Sequence, residues 1–133
     1  MRGLKIAVRA FCLLILFAGL VHLVDGVSFL LVAGAPVAGI FNDPVLNSQV
    51  RFWGAIWFGF GIVLWHAGNR LETDPALFRL LCGILGLSGL ARLESAVVFG
   101  LPGQMLTSAM AITLIAAPCF LFWHAIVLRR ARE

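Results

Sequence analysis

Four long apolar stretches separated by short polar segments dominate the sequence. They cover residues 6–31, 48–67, 75–99 and 105–128, and each reaches the roughly 20 residues that a helix needs to cross a bilayer. The stretches lack the strict apolar–polar alternation of membrane-barrel strands. Because backbone polar groups in hydrocarbon must be hydrogen-bonded within the segment, the pattern predicts four transmembrane helices.

The residues between the stretches indicate where the helices begin. Asp74 followed by Pro75 is a favourable N-cap and first-turn pair for the third helix. For the second helix we predict a turn at Asp43 and Pro44, followed by an N-cap at Asn47 or Ser48.

Composition supports lipid as the solvent for most of the surface. Of 133 residues, 62% are hydrophobic and 12% are charged, whereas a soluble domain carries roughly 25% charged residues. So few charges could not cover a water-exposed surface without leaving large apolar patches. We therefore predict an all-α fold, a single integral membrane four-helix bundle over residues 1–133.

The distribution of basic residues predicts the orientation. Eight of the ten lie at the start, in or near the link between the second and third helices, or at the end of the chain. The eight are Arg2, Lys5, Arg9, Arg70, Arg79, Arg129, Arg130 and Arg132. The positive-inside rule then places both termini in the cytoplasm, with the protein multi-pass in the bacterial inner (plasma) membrane. The same charges indicate contact with membrane lipids. The sequence has no basic stripe with interleaved aromatic residues, so we do not expect nucleic-acid binding.

A basic start followed by an apolar run also resembles a signal peptide, and Ala33-Gly34-Ala35 offers a small-residue cleavage site. Pro36 follows this site, and the apolar run before it is long. We therefore expect the first stretch to remain as a helix.

Ionisable residues in the predicted outer half are the candidates for a functional site. His22 and Asp25 lie three residues apart near the outer end of the first helix, so they share a face. Arg51 lies at the outer start of the second helix, and Arg92 lies in the third on the same face as Ser95. Charged groups at such positions are costly in a bilayer and usually face the bundle interior.

Two interpretations of this polar layer stay open. In the structural one, Asp25 pairs with Arg51 or Arg92 and fixes the helix register. In the functional one, His22, Asp25 and the arginines form an outward-opening pocket for an anionic or polar lipid-soluble ligand, or for proton relay.

Other candidates carry less weight. Glu94 is two residues from Arg92 and points elsewhere, and His66 and His124 each follow a tryptophan near an inner helix end. Two histidines at one depth could ligate haem, but interfacial anchoring explains them better. The sequence indicates no cofactor, no metal site and no catalytic motif.

Two patterns resemble a known family. They are Arg51-x-x-Gly54 with Gly59 and Gly61, and Gly89-x-x-Arg92-x-x-Ser95 followed by Gly100-x-Pro102. With them, most of the chain resembles the small bacterial four-helix membrane proteins catalogued as domain of unknown function 4345. The resemblance implies four helices and an intramembrane arginine, here Arg92, but no activity. Many members have an acidic residue in the fourth helix, and this chain has none between residues 105 and 128.

Three functions follow as hypotheses. The first is a non-enzymatic bundle that packs with a second copy or another membrane protein, or that binds a lipid-like ligand. The second is a compact isomerase-like membrane enzyme that uses the polar layer for acid–base chemistry. The third is an oligomeric transporter component, since four helices are few for a transport path.

Overall fold

The structure, a computed structural model, describes residues 1–29 and 43–130. These residues form four α-helices, α1 (Arg2–Asp25), α2 (Pro44–Asn69), α3 (Pro75–Phe99) and α4 (Gln104–Arg130). Each helix is long and apolar enough to cross a membrane. The predicted all-α architecture with four apolar helices is therefore confirmed.

The first helix begins at Arg2, before residue 6, and it does not continue unbroken toward residue 31. It ends at Asp25 because Gly26 adopts a positive φ of 58°, and its N–H donates to the carbonyl of His22 at 3.1 Å. A residue with a side chain would be strained at this φ, so the glycine favours the break. Residues 30 and 31 of the predicted helix, and Ala33-Gly34-Ala35, lie outside the described residues.

The second helix begins earlier than predicted. The Asp43 carboxylate accepts hydrogen bonds from the backbone N–H groups of Val45 (2.8 Å) and Leu46 (3.3 Å), so Asp43 is the N-cap. The prediction of a cap at Asn47 or Ser48 is wrong, because both residues lie within the helix that this cap initiates.

The predicted N-cap of the third helix is confirmed. The Asp74 carboxylate accepts from the Leu77 N–H at 3.2 Å, and Pro75 occupies the first helical position. Proline suits this position because the N–H that it lacks would have no partner inside the helix.

Successive helices run antiparallel. Arg9 near the start of α1 contacts Asn69 at the end of α2, and Arg51 near the start of α2 contacts Leu23 near the end of α1. We use "terminal end" for the end of the bundle with the start of α1, residues 70–74 and the end of α4. We use "distal end" for the opposite end.

The closest helix packing is between α1 and α2. A Cβ placed on Gly19 would lie 2.5 Å from the backbone nitrogen of Phe58, and one on Gly54 would overlap the main chain at His22 and Leu23. The two backbones therefore touch in both directions, as small residues allow in membrane bundles. Helices α3 and α4 form a second, looser pair, and contacts between the two pairs are fewer still.

The buried core lies toward the terminal end. Its members come from the first half of α1, the end of α2 and the segment after it, and the start of α3, with the last part of α4 packed against them. They are Leu4, Val8, Cys12, Ile15, Leu64, Ala67, Leu71, Phe78, Leu81 and Cys82, packed against side chains that include Phe11, Phe120 and Leu121. The two helix pairs are thus joined mainly at one end.

We predict that Gly54→Ala lowers the stability of the bundle by about 1–3 kcal/mol, because overpacking a tight contact forces the backbone to shift. Gly59→Ala is the matched control, because its added Cβ would meet no atom within 4 Å. Thermal unfolding of both variants in the same detergent measures the difference. Equal melting temperatures for the two variants would contradict the close α1–α2 contact.

Candidate functional site

A cleft of about 970 Å³ lies in the distal half, between the α1–α2 pair and α4, and we call it the distal cleft. Its wall is mainly apolar and aromatic, with a few polar side chains. The lining residues are Phe11, Leu14, Ile15, Ala18, His22, Phe29, Val50, Trp53, Trp57, Arg92, Gln104, Met105, Leu106, Ser108, Ala109, Ile112 and Thr113. Such a volume and composition are typical of small-molecule sites.

Arg92 contributes the cationic group of the distal cleft. It is the residue of α3 that lines the cleft, and it is half-buried. Among residues 1–29 and 43–130, no hydrogen-bond acceptor or carboxylate pairs with its guanidinium. A guanidinium offers five N–H donors in a fixed fork, so within the described residues Arg92 places an unpaired positive charge in a mainly apolar wall.

His22 lines the same cleft from α1. Its Nδ1 lies 2.7 Å from the carbonyl oxygen of Ala18. Because a carbonyl can only accept, Nδ1 is the donor of this hydrogen bond. The ring packs against Phe29 with centroids 4.1 Å apart. His22 is therefore held in one orientation, and its Nε2 has no hydrogen-bond partner among the described residues.

Arg51 does not line the distal cleft, because its side chain binds the end of α1. Its Nη1 donates to the carbonyls of Leu23 (2.9 Å) and Val24 (2.7 Å), and its Nε donates to Asn47 Oδ1 at 3.2 Å. The last carbonyls of a helix have no partner within it and carry the negative end of its dipole. Arg51 therefore satisfies the C-terminus of α1.

Asn47 has a related role. Its Oδ1 accepts from Arg51 Nε and lies 3.4 Å from the Val27 backbone nitrogen, next to Gly26. A side chain at Gly26 would collide with this amide. The start of α2 thus holds the turn that follows α1.

Asp25 forms no ion pair with either arginine within 4 Å in the described part of the chain. Its side chain is exposed, and the Arg51 guanidinium donates instead to the carbonyls at the end of α1. Glu94 and Ser95 are also exposed, and neither lines the distal cleft. Of the predicted polar layer, the structure brings His22 and Arg92 together on one cleft and places the other residues outside it.

His66 and His124 lie in different environments. His66 is exposed, whereas His124 is fully buried and its Nε2 donates to the Leu71 carbonyl at 3.1 Å. Its ring packs edge-on against Phe78, and its buried Nδ1 has no hydrogen-bond partner among the described residues. His124 thus links α4 to the segment after α2. No cluster of three or more His, Cys, Asp or Glu suited to a metal occurs in that part of the chain.

The contribution of α4 to the cleft wall was not predicted from the sequence. Its hydroxyls are already engaged, since Ser108 donates to the Gln104 carbonyl at 2.9 Å and Thr113 donates to that of Met110 at 2.9 Å. The spacing of the α4 residues could have predicted this wall, because residues 104, 105, 108, 109 and 112 lie on one helical face. Trp53 and Trp57 of α2 line the cleft as well.

Residues 1–29 and 43–130 thus contain four long apolar helices with a cationic group in a mainly apolar cleft. The chain belongs to the family described as "Domain of unknown function (DUF4345)", whose profile matches residues 3–124. The resemblance drawn from the arginine and glycine patterns is therefore confirmed. The description of the family names no activity. No curated protein and no solved structure matches the chain significantly.

We predict that Arg51→Gln destabilises the protein by on the order of 1 kcal/mol, because it removes charged donors from partly exposed carbonyls of α1. Asp25→Asn should leave the stability nearly unchanged, because this exposed carboxylate has no partner within residues 1–29 and 43–130. Denaturation in detergent compares the two variants. A larger loss for Asp25→Asn than for Arg51→Gln would restore the ion-pair interpretation.

Proposed function

We propose that the protein is a multi-pass membrane protein whose distal cleft binds a lipid-like amphiphile with an anionic head group. The observation that carries the proposal is the Arg92 guanidinium, which lines a mainly apolar cleft without a carboxylate partner in the described residues. A charge placed in such surroundings is costly unless it is paired. An anionic ligand would supply the pair, and its apolar part would contact the wall.

The outward surface supports insertion in a membrane. In the most apolar window of each helix, only 17–28% of the residues are buried inside the bundle. Large apolar side chains instead point away from it, such as Phe99 (86% exposed) and Phe122 (71% exposed). Continuous apolar surfaces of this extent are rare on soluble monomers, and lipid would cover them without cost.

We propose that the terminal end faces the cytoplasm, since the basic residues collect there. A reporter active only in the cytoplasm should therefore work when it is inserted between residues 70 and 74 and fail between residues 100 and 103. Alkaline phosphatase, active only outside the cytoplasm, should give the opposite result. The reverse pattern in both assays would invert the proposed orientation.

The affinity for a ligand in this setting depends mainly on the head group. Lipid tails are about as apolar as leucine, so apolar contact with the cleft gives little advantage over contact with bulk lipid. A charge-assisted hydrogen bond to Arg92, by contrast, has no equivalent elsewhere on the cleft wall. Arg92 is therefore expected to determine which amphiphile is retained.

We predict that the protein purified in mild detergent retains an anionic amphiphile, and that Arg92→Gln lowers the retained amount about 10- to 100-fold. This range corresponds to the loss of a charged hydrogen bond, roughly 1.5–3 kcal/mol. Lipid extraction and mass spectrometry measure the amount per protein.

The matched control is Arg70→Gln, which removes the same charge from an exposed side chain at the terminal end. Arg92→Lys keeps the charge but loses the fork of donors, so it should retain an intermediate amount. If Arg92→Gln remains folded and retains as much ligand as Arg70→Gln, the binding proposal fails.

The isomerase-like enzyme is the second candidate. It is favoured by His22, which lines the same cleft and whose Nε2 has no hydrogen-bond partner within the described residues. The variant His22→Gln discriminates between the two functions in the same extraction. A binding protein should retain the same compound with and without the imidazole. An enzyme should instead accumulate an isomer of the compound found with the wild-type chain, because the acid–base group is missing.

A further inference from the structure

A second hollow, distinct from the distal cleft, lies at the terminal end. It has a volume of about 710 Å³ and lies between the starts of α1 and α3 and the end of α4. Arg79 of α3 and Arg130 of α4 line it, as do Glu72, Pro75 and Leu128. We call it the terminal hollow. No residue lines both the terminal hollow and the distal cleft.

The charge of the terminal hollow is positive. The Glu72 carboxylate is already paired, since its Oε1 lies 3.2 Å from Lys5 Nζ. Arg79 and Arg130 have no hydrogen-bond or ion-pair partner in residues 1–29 and 43–130. Two guanidinium groups from neighbouring helices thus face one hollow, and the carboxylate on its wall is neutralised by a lysine outside it.

The apolar part of the wall suits a ligand that has apolar groups next to its anionic group. Pro75, Val127 and Leu128 lie beside the two arginines. Guanidinium forks match the oxygen geometry of phosphate and can bind it in a bidentate manner. Basic pockets between membrane helices near an interface are suited to the head groups of anionic lipids.

We propose that the terminal hollow binds a phosphate group, with Arg79 and Arg130 as its two cationic contacts. The phosphate can be the phosphodiester of an anionic lipid or a free phosphate ion. This site is independent of the distal cleft, because none of the residues that line the hollow lines the cleft.

The experiment uses the full chain in a neutral, phosphate-free detergent buffer. Phosphatidylglycerol, phosphatidylcholine and inorganic phosphate are added separately, and thermal unfolding and native mass spectrometry report binding. We expect phosphatidylglycerol to raise the melting temperature and phosphatidylcholine not to do so. The double variant Arg79→Gln/Arg130→Gln should weaken phosphatidylglycerol binding at least tenfold.

The matched control is Arg70→Gln/Arg129→Gln, which removes two exposed arginines of the same end that do not line the hollow. It should bind phosphatidylglycerol like the wild-type chain. Arg79→Lys/Arg130→Lys keeps both charges and should recover part of the binding, which separates a binding defect from a folding defect. The comparison is repeated in an Arg92→Gln background, so that phosphatidylglycerol bound in the distal cleft does not contribute to the response.

The outcomes separate the sources of phosphate. Equal protection of the wild type by inorganic phosphate, lost in the hollow variant, would support the site with a free ion as its ligand. Protection by phosphatidylglycerol alone would support a lipid head group. Equal weakening in both double variants, or no weakening in either, would overturn the proposal, because attraction would then be diffuse or absent.

Discussion

The contact between α1 and α2 at Gly19 and Gly54 sets the register on which much of the structure depends. Because the two backbones touch in both directions there, α2 cannot slide along α1 without a collision. That register places Arg51 beside the last carbonyls of α1, and it places Asn69 where Arg9 Nη2 donates to it at 2.7 Å. The α1–α2 pair is therefore held by the glycine contact and by hydrogen bonds from one arginine toward each end.

The second pair of helices is attached differently, and the distal cleft results from that difference. The core that joins the pairs includes Phe78 of α3 and has Phe120 of α4 packed against it, both toward the terminal end. No comparable core is found in the distal half of the described residues, where the α1–α2 pair and α4 leave space between them. A bundle joined mainly at one end thus has a compact half and a half with room for a ligand.

The helices could be predicted from the sequence because length and hydropathy decide them, but the roles of the polar residues could not. Helical spacing places His22, Asp25 and Arg92 on definite faces, yet it does not say which partner each face meets. Arg51 binds backbone carbonyls and not Asp25, because the glycine contact and the break at Gly26 expose the end of α1 to the Arg51 side chain. The cleft depends on the separation of two helix pairs, which no local pattern encodes.

The opening of the distal cleft has a thermodynamic consequence for any compound that enters it. In a bilayer, an apolar space of this size is filled by lipid chains whenever no specific ligand is present, so occupancy is an exchange between two solutes and not the filling of a void. The relevant variable is then the mole fraction of the ligand among lipids, and the dissociation constant measured in detergent depends on what the detergent itself displaces. Selectivity among amphiphiles would then depend on Arg92, the cationic side chain that the described residues contribute to the cleft wall.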